Sequence, residues 1–488
     1  MHLAAIDLGS NSFRLQIGRV DNNSIIPETY LKEGVRIAAG LDAQGFLTEE
    51  AQQRALDALS RFSTRIKDLP QSCVRAVGTQ TLRIAKNTPE FLEKAQMALG
   101  FPIEVLRGKE EARLIYLGCS HALPNSEQKR LIVDIGGGST ELAIGQQYNV
   151  LACDSFHVGC VNMTLEYFRD GKITRERFEA ARLAAYAELI NARRRFNASY
   201  WSCAYGSSGS MEAVFALTRS LGIDSAVVTK QDLLLIRDLF IKFGDIRNIC
   251  MQDLHQSRKD VIVGGLAVLS AVFDALDIET MGFSSGALRM GVLYDLNDKL
   301  LHRDCRDASI DKLMTMASLN NEQAASVDRI SRSLFSSLIP EGLQEERKCL
   351  HWAALLHEIG SGISPNGYHR HGAYIIEHAD LVGFSSSTQK WLSDLILGQR
   401  GRLLKISHRL EDSIWTASLL ALRLACIFAQ ERDSSVQPRL KLFARGARQF
   451  ELIIENEDWL QSHPLTYFLL KDEARHWKAV QYTFEFKN

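Results

Sequence analysis

The chain has 488 residues, which is too many for one hydrophobic core, so we expect several domains. Its 46% hydrophobic and 24% charged residues are ordinary for a globular protein, and a net charge of −1 excludes a general attraction to nucleic acid or anionic membranes. Nine cysteines without a C-x-x-C pair argue against a disulfide framework or a zinc site. The N-terminus shows no signal-peptide pattern, and no apolar segment is long enough to span a bilayer, so we expect a cytoplasmic protein.

Strands and helices alternate from the N-terminus to about residue 297. Hydrophobic periodicity predicts strands at 3–6, 13–20, 73–77, 102–106, 131–135 and 140–144. It predicts helices at 49–69, 90–99, 110–118, 173–197, 210–219 and 260–275. This alternation is typical of α/β layers, and we expect two related domains, 1–117 and 118–297, that face each other across a cleft.

Beyond residue 297 the strand patterns stop and helical patterns take over. Helices are predicted at 313–338, 345–357, 373–379, 388–397 and 411–429, so we expect an all-α domain over 298–437. Strand-like runs return at 450–455 and 479–486. They predict a small α+β domain over 438–488.

One stretch of sequence occurs twice. IDLGSNSFRLQIG, residues 6–18, and VDIGGGSTELAIG, residues 133–145, match without a gap at Asp7, Gly9, Ser12, Leu15, Ile17 and Gly18, and at Asp134, Gly136, Ser139, Leu142, Ile144 and Gly145. Six ungapped matches favour a duplicated structural unit.

Each copy places an aspartate at the end of a strand and small residues in the turn after it. Glycine lets a backbone approach a ligand closely, and serine adds a hydroxyl donor, so two facing turns are suited to clamp a phosphate. The expected phosphate-binding residues are Gly9, Ser10, Asn11, Ser12, Gly136, Gly137, Gly138 and Ser139. Asp7 and Asp134 would repel phosphate unless a cation lay between, which predicts bound Mg²⁺. The alternative for a single copy is a turn that only closes a hairpin.

Two further glycine-rich turns precede predicted helices, at 206–210 and 282–286. A helix N-terminus binds anions through its backbone N–H groups. We therefore add four residues of the first of these turns to the expected phosphate site, namely Gly206, Ser207, Ser208 and Gly209.

Six motifs carry a resemblance that extends over essentially the whole chain. They are AAIDLGSNSFRLQIG, GTQTLRIAKN at 78–87, GKEEARLIYLG at 108–118, VDIGGGSTELAIG, RKDVIVGGLAVL at 258–269 and SSGALRMGVLYD at 284–295. The chain resembles the actin-like ATPase superfamily and, more closely, the exopolyphosphatase and guanosine pentaphosphate phosphohydrolase family. The resemblance implies two duplicated actin-like (ribonuclease H-like) domains, a homodimer, and removal of terminal orthophosphate from inorganic polyphosphate or from guanosine pentaphosphate.

The same resemblance assigns roles to single residues. It makes Glu111, the second glutamate of the E-E-A-R motif, the catalytic base, although Glu110 lies next to it and two glutamates also suit a helix start. The position of Glu141 after the second turn, apart from the resemblance, leaves two interpretations open: it orients water or holds metal, or it is a solvated strand residue. Arg83 and Arg258 are expected to bind phosphate, because a guanidinium group binds phosphoryl oxygens bidentately.

The helical domain contains several histidines, His351, His357, His369 and His371, and resembles the metal-dependent HD phosphohydrolases. The signature His-Asp pair reads His357-Glu358 here, and the longer glutamate alters the coordination geometry. We therefore expect a degenerate HD-like scaffold without its own catalysis, and leave open whether it binds metal.

Basic residues outnumber acidic ones between 390 and 450. A solvated helical face is one interpretation, and a path for a polyanion is the other. The expected path residues are Arg400, Arg402, Lys405 and Arg409. The leading functional hypothesis is an exopolyphosphatase; the alternatives are a guanosine pentaphosphate hydrolase, an actin-like kinase and a non-catalytic polyphosphate sensor.

Overall fold

The chain divides into two compact units, Met1–Arg303 and Asp304–Asn488. A computed structural model describes the whole chain except residues 22–23, 224, 252–253, 255, 302–303, 340, 380, 433–437, 457 and 488. Among the described residues, no helix combines the length and the apolar character that crossing a membrane requires. The predicted division into four domains stays a prediction.

The first unit begins with a five-stranded sheet in the order β3-β2-β1-β4-β5. Its strands are β1 (His2–Leu8), β2 (Phe13–Asp21), β3 (Ser24–Glu33), β4 (Val74–Gly78) and β5 (Ile103–Val105). The helices of this half are α1 (Glu49–Ile66), α2 (Gln80–Ile84), α3 (Thr88–Leu99) and α4 (Gly108–Ala122). Strand β1 pairs antiparallel with β2 and parallel with β4.

A six-stranded sheet follows in the order β10-β11-β9-β6-β7-β8. Its strands are β6 (Lys129–Ile135), β7 (Thr140–Gln146), β8 (Asn149–Phe156), β9 (Cys203–Ser207), β10 (Val227–Thr229) and β11 (Thr280–Phe283). Its helices are α5 (Cys160–Tyr167), α6 (Arg175–Leu189), α7 (Arg193–Phe196), α8 (Ser208–Ser220), α9 (Lys230–Phe243), α10 (Gln256–Lys259), α11 (Ile262–Leu276) and α12 (Leu288–Leu300).

The duplication seen in the sequence is also present in the topology. Strand β6 pairs antiparallel with β7 and parallel with β9, as β1 does with β2 and β4. Within the hairpins Asp7 lies opposite Arg14, and Asp134 lies opposite Glu141. The predicted α/β class with two related halves is confirmed.

Strand β1 is buried on both faces, which explains its nearly continuous apolar sequence. Ala4, Ile6 and Leu8 belong to a core that includes α1 and α3. Leu3 and Ala5 belong to a second core, formed with α4, α12 and residues of the second sheet. Helices α4 and α12 therefore lie between the two sheets.

Helices α4 and α12 approach each other closely through small residues. A Cβ atom on Gly118 would lie 2.3 Å from the Ala287 carbonyl oxygen, so no side chain fits there. A buried ion network joins the same helices: Asp295 accepts hydrogen bonds from Arg113 and Arg75, each at 2.5 Å. The start of α4 is thereby fixed at the boundary between the two halves.

The second unit is mainly helical. Its helices are α13 (Cys305–Met316), α14 (Asn321–Leu338), α15 (Gln344–Leu355), α16 (Tyr368–His378), α17 (Ser386–Gly398), α18 (Ser413–Phe428), α19 (Trp459–Ser462) and α20 (Pro464–Lys478). A three-stranded sheet has the order β12-β13-β14, formed by β12 (Leu440–Gly446), β13 (Gln449–Ile454) and β14 (Thr483–Lys487). Leu442 and Phe484 of this sheet share one core with Trp415 of α18.

Several predicted elements differ from the observed ones. The helix predicted at 313–338 is two helices, because Ser318 has a left-handed φ of 50° and the Asn320 side chain caps a new helix at the Gln323 amide. The strand predicted at 479–486 starts only at Thr483, since α20 continues to Lys478. The helix predicted at 173–197 ends at Leu189 and is followed by shorter turns.

Candidate active site

A cavity of about 90 Å³ lies between the two repeated turns. Its lining includes most of the predicted residues, namely Asp7, Gly9, Ser10, Asn11, Ser12, Glu111, Asp134, Gly136, Gly137, Ser139, Glu141, Ser208 and Arg258. The predicted facing of the two turns is thus observed. Because both turns belong to the first unit, one compact body positions the whole site.

Other predicted residues contact the residues that line the cavity or pack next to them. Ser207 Oγ donates a hydrogen bond of 2.6 Å to the Asp134 carboxylate. A Cβ atom on Gly138 would lie 1.6 Å from Gln80 Oε1, and one on Gly209 would lie 1.7 Å from Arg258 Nη2. Gly206 packs in the same way against Met211. These glycines bring the turns close to their neighbours, so their need for small size is structural.

Ser208 has a left-handed backbone with φ 63°, which is uncommon for a residue other than glycine. It is the first residue of α8 and lines the cavity. Its hydroxyl donates to the Ile135 carbonyl oxygen at 3.2 Å, next to the second repeated turn. Strained backbone of this kind concentrates at functional sites, and here it places a helix start at the cavity.

The structure distinguishes the two glutamates at the start of α4. Glu110 accepts two hydrogen bonds from Arg113, at 2.9 and 2.7 Å, within the buried ion network. Glu111 lines the cavity instead and accepts a hydrogen bond of 2.6 Å from Arg83 Nη1. Glu111 is therefore the glutamate that can reach a molecule bound between the turns.

Burial raises the pKa of Glu111 to about 7, against the lowering effect of Arg83. The carboxylates of Asp7 and Asp134 add to the rise through repulsion. A carboxyl group with a pKa near the pH of the reaction is suited to accept and release a proton.

Arg83 lies behind Glu111. Its guanidinium group contacts both the Glu111 carboxylate and the Leu106 carbonyl oxygen, the latter at 3.0 Å. Arg83 therefore orients the candidate base, and its direct contact with phosphate stays a prediction.

Four carboxyl groups, those of Asp7, Glu111, Asp134 and Glu141, line this small cavity. Burial raises the pKa of Glu141 well above its usual range, and repulsion from Glu111 and Asp134 raises it further. Burial also raises the pKa values of Asp7 and Asp134. Crowded acidic oxygens of this kind suit a divalent cation. Within the described part of the chain, no three His, Cys, Asp or Glu side chains form a ready-made metal site.

Three cationic residues near the cavity were missed by the sequence reasoning: Arg14, Lys32 and Arg289. Arg14 lines the cavity. Arg289 Nη1 lies 3.9 Å from Asp7, and its guanidinium group stacks 5.0 Å from the Tyr30 ring. Burial lowers the pKa of Lys32, and repulsion from Arg258, Arg14 and Arg289 lowers it further.

The arginines of this group have unused donors. Among the described residues, Arg14 Nε and Arg289 Nε and Nη1 are buried and find no hydrogen-bond partner. Buried donors without acceptors are costly, which favours an anionic ligand that supplies the acceptors. The repeat could have revealed Arg14, since it occupies the same repeat position as Glu141, which the sequence reasoning did select.

A second cavity of about 390 Å³ shares the walls Ser10 and Asn11 with the first. Leu165 and Phe168 give it an apolar side. Its remaining lining includes Arg36, Arg169, Asp170, Arg247 and Asp260. This cavity is large enough for a group of nucleoside size and lies directly beside the first repeated turn.

Two of the histidines expected in the HD-like scaffold, His351 and His357, have local partners. His351 Nδ1 lies 2.8 Å from Asp328, and His357 Nδ1 lies 2.8 Å from the Ala354 carbonyl oxygen. Glu358 accepts a hydrogen bond of 2.7 Å from Arg432. The side chains of the His-Glu pair are thus engaged in separate contacts.

The four expected path residues lie in different surroundings. Arg400 and Arg402 are exposed. Lys405 donates a hydrogen bond of 2.6 Å to the Arg400 carbonyl oxygen. Arg409 is paired with Asp394 at 2.9 Å, so its charge is partly balanced.

Comparison with known proteins identifies the family. Residues 17–300 match the Ppx/GppA phosphatase family, and residues 305–474 match domain III of the Ppx/GppA phosphatases. The chain belongs to the Ppx/GppA phosphatase family. The predicted resemblance is confirmed, and so is the prediction that the chain is a phosphoanhydride hydrolase.

Individual relatives agree with this assignment. A protein of Photobacterium profundum named guanosine-5'-triphosphate,3'-diphosphate pyrophosphatase is 35% identical over 476 residues, which are 96% of this chain and 95% of that protein. The structure of an exopolyphosphatase from Cytophaga hutchinsonii matches this chain with a TM-score of 0.56 at 24% identity. The match covers 61% of this chain and 98% of the Cytophaga hutchinsonii chain. The structure of an Aquifex aeolicus family member matches with a TM-score of 0.53 at 25% identity. That match covers 62% of this chain and 98% of the Aquifex aeolicus chain.

Proposed function

We propose that this Ppx/GppA family member is an exopolyphosphatase that releases the terminal orthophosphate of inorganic polyphosphate. The observation that carries the proposal is the position of Glu111, a carboxyl group with a pKa of about 7 in a cavity between the two repeated turns. A general base in such a cavity can activate a water molecule against a bound phosphoryl group.

In the proposed reaction Glu111 takes a proton from water while the water oxygen bonds to the terminal phosphorus. The phosphoanhydride bond to the next phosphate breaks, and the bridging oxygen leaves with its electron pair on the shortened chain. Arg83 holds the Glu111 carboxylate in place through its 2.6 Å hydrogen bond. Glu111 lies near enough to Glu141 that repulsion between them raises the pKa of Glu141. In this scheme Glu141 orients the attacking water.

The cations around the cavity are proposed to bind the phosphoryl oxygens. Arg14 and Arg289 bring buried N–H donors that lack partners among the described residues, and Arg258 lies beside the Ser208 turn. Charge-assisted hydrogen bonds from guanidinium to phosphate are among the stronger ones in proteins. Hydroxyl groups of Ser10, Ser12 and Ser139 line the same space.

Asp7 and Asp134 are the proposed ligands of Mg²⁺. Mg²⁺ is commonly bound by one or two carboxylates together with substrate phosphate and water. Two aspartates therefore supply as many protein ligands as such sites usually have. The raised pKa values of both aspartates fit a site that a cation would relieve. When bound, the ion would neutralise negative charge that develops on the phosphoryl oxygens.

Guanosine pentaphosphate is a second candidate substrate, favoured by the 390 Å³ cavity. That cavity shares Ser10 and Asn11 with the phosphate site, and its apolar wall of Leu165 and Phe168 suits a nucleoside. The name of the Photobacterium profundum relative points to the same substrate class.

The basic residues of the second unit are proposed to bind the polyanion outside the active site. Arg400, Arg402, Lys405 and Arg409 would attract a long chain by charge. On the family resemblance we also propose a homodimer, and the cytoplasmic location stays a prediction.

Orthophosphate release from long polyphosphate and from guanosine pentaphosphate, measured side by side, tests the proposal. Glu111→Gln keeps the size of the side chain but removes its basicity, so turnover should fall by about two orders of magnitude or more while substrate still binds. Glu93→Gln, an exposed residue of α3, is the matched control and should leave turnover unchanged. Near-normal turnover of Glu111→Gln would overturn the assignment of the base. Orthophosphate release from guanosine pentaphosphate but not from polyphosphate would show that the nucleotide, and not polyphosphate, is the substrate.

A further inference from the structure

The short helix α2 contacts both the candidate base and the second repeated turn. Its Arg83 donates a hydrogen bond of 2.6 Å to the Glu111 carboxylate. Its Gln80 leaves no room for a side chain on Gly138, where a Cβ atom would lie 1.6 Å from Gln80 Oε1. Helix α2 therefore touches two separate parts of the candidate active site.

A buried hydrogen bond joins α2 to the first repeated turn as well. Thr81 Oγ1 donates to Ser10 Oγ at 2.8 Å, and both side chains are buried. The residue before α2 is anchored to the end of β1, because the Thr79 amide and hydroxyl both donate to the Leu8 carbonyl oxygen at 3.4 Å. Thr81 is thus held at a fixed place beside the turn that follows β1.

Ser10 lies where the two repeated turns come together. It lines the cavities of about 90 and 390 Å³. A Cβ atom on Gly137 of the second turn would lie 3.2 Å from Ser10 Cβ. A phosphoryl group bound between the turns is therefore within reach of the Ser10 hydroxyl.

The direction of the hydrogen bond determines what Ser10 can offer to such a group. A hydroxyl has one hydrogen and two lone pairs, and Ser10 uses a lone pair to accept from Thr81. Its own hydrogen stays available, since among the described residues the Ser10 hydroxyl donates to no protein atom. Phosphoryl oxygens only accept hydrogen bonds, and a hydroxyl that itself accepts a hydrogen bond is a stronger donor.

We propose that Thr81 is a positioning residue that directs the Ser10 hydroxyl hydrogen at a phosphoryl oxygen of the substrate. Among the described residues that line the 90 Å³ cavity Thr81 is absent, so it acts through Ser10. The proposal rests on the function proposed above, because it takes a phosphoryl group as the occupant of that cavity. Helix α2 then has two tasks, since it orients the base through Arg83 and a phosphate donor through Thr81.

Binding of tripolyphosphate to the full-length Glu111→Gln protein, measured by titration calorimetry with Mg²⁺ present, tests the proposal without turnover. Adding Thr81→Val removes the hydroxyl and nearly keeps the shape, so Kd should rise about threefold to tenfold, the size of one hydrogen bond. Adding Thr81→Ser instead keeps the hydroxyl and should restore the affinity. Thr218→Val is the matched control: its buried hydroxyl donates to the Phe215 carbonyl oxygen at 2.9 Å, and its loss should leave Kd unchanged.

A double-mutant cycle with Ser10→Ala separates positioning from a role in the fold. If Thr81 acts through Ser10, Thr81→Val should weaken binding no further once Ser10 has lost its hydroxyl. Additive losses would overturn the proposal, and so would an unchanged Kd in Thr81→Val or a loss that Thr81→Ser fails to restore. If the Glu111→Gln protein failed to bind tripolyphosphate at all, the proposed function would be overturned together with the role of Thr81.

Discussion

Glu111 titrates within the range where the enzyme is expected to work, so its protonation should control the rate. Its raised pKa of about 7 means that the basic form predominates only above neutrality. We expect kcat/KM for a short polyphosphate to rise with pH as Glu111 loses its proton and then to level off. Bound Mg²⁺ should move this rise to lower pH, because it offsets the repulsion from Asp7 and Asp134. A pH–rate profile at saturating Mg²⁺ is the measurement.

Replacing Arg83 should shift this pH–rate profile in a direction that the structure predicts. Arg83 lowers the pKa of Glu111 by charge and by hydrogen bonding, so Arg83→Gln should move the rising limb to higher pH. An unchanged limb in that variant would show that another group sets the pH dependence.

The buried charges of Arg14 and Arg289 should lower the stability of the ligand-free protein and strengthen its binding of substrate. Burial and repulsion from Arg14 lower the pKa of Arg289 against the opposite effect of Asp7, so its charge is only partly compensated without a ligand. We expect Arg289→Met to raise KM at least about tenfold, because it removes charge-assisted hydrogen bonds. The same change should leave Tm unchanged or raise it by about 2 °C.

Surface arginines provide the control for this pair of measurements. Arg175→Met breaks an exposed contact with Asp238 and should change neither KM nor Tm appreciably. A fall in Tm with unchanged KM in Arg289→Met would assign Arg289 to the fold and not to phosphate.

At the scale of the elements, the contact between α4 and α12 should be intolerant of added volume. A methyl group on Gly118 would lie 2.3 Å from the Ala287 carbonyl oxygen, so the helices would have to separate. We expect Gly118→Ala to cost about 1–3 kcal/mol of unfolding free energy and to reduce kcat, since Glu111 lies in the first turn of α4 and Arg289 lies on α12.

Gly34 offers a matched comparison, because a Cβ atom there would meet no atom within 4 Å. Gly34→Ala should leave both thermal unfolding and kcat unchanged. If Gly118→Ala unfolded at the wild-type temperature, the close packing of α4 on α12 would not be what fixes the base.

The sequence predicted those parts of the site that depend on local pattern. The repeated turns and the pair Asp7 and Asp134 follow from a motif that occurs twice, and the structure places both copies around one cavity. Arg289 was not predicted, because its approach to Asp7 depends on how α12 crosses the sheet. Likewise, only tertiary contacts show that Glu110 is held by Arg113 while Glu111 faces the cavity.

Prediction of the elements failed where a short polar signal interrupts an apolar pattern. The helix expected at 313–338 breaks because Asn320 caps a new helix, although apolar residues continue at helical spacing on both sides. Strand β3 was missed because most of its residues are exposed and its pattern is weak. These misses lie outside the cavity lining, which is why the site was predicted better than the whole fold.

At the scale of the whole molecule, the two units predict separable roles. All lining residues of the 90 Å³ cavity lie within Met1–Arg303. The Cytophaga hutchinsonii structure matches 61% of this chain over 98% of its own length, so that protein is about as long as the first unit. We expect a protein ending at Arg303 to fold and to hydrolyse short polyphosphate.

The same truncation should weaken activity on long chains more than activity on short ones. Removing the second unit removes Arg400, Arg402, Lys405 and Arg409, so long-chain affinity should fall and its dependence on salt should become weaker. The measurement is kcat/KM for short and long polyphosphate across a salt series, in the truncated protein and in a full-length variant with these four residues changed to glutamine. Both proteins should lose activity mainly on long chains. Equal losses on short and long substrates would mean that the second unit supports the fold of the enzyme and does not bind the polyanion.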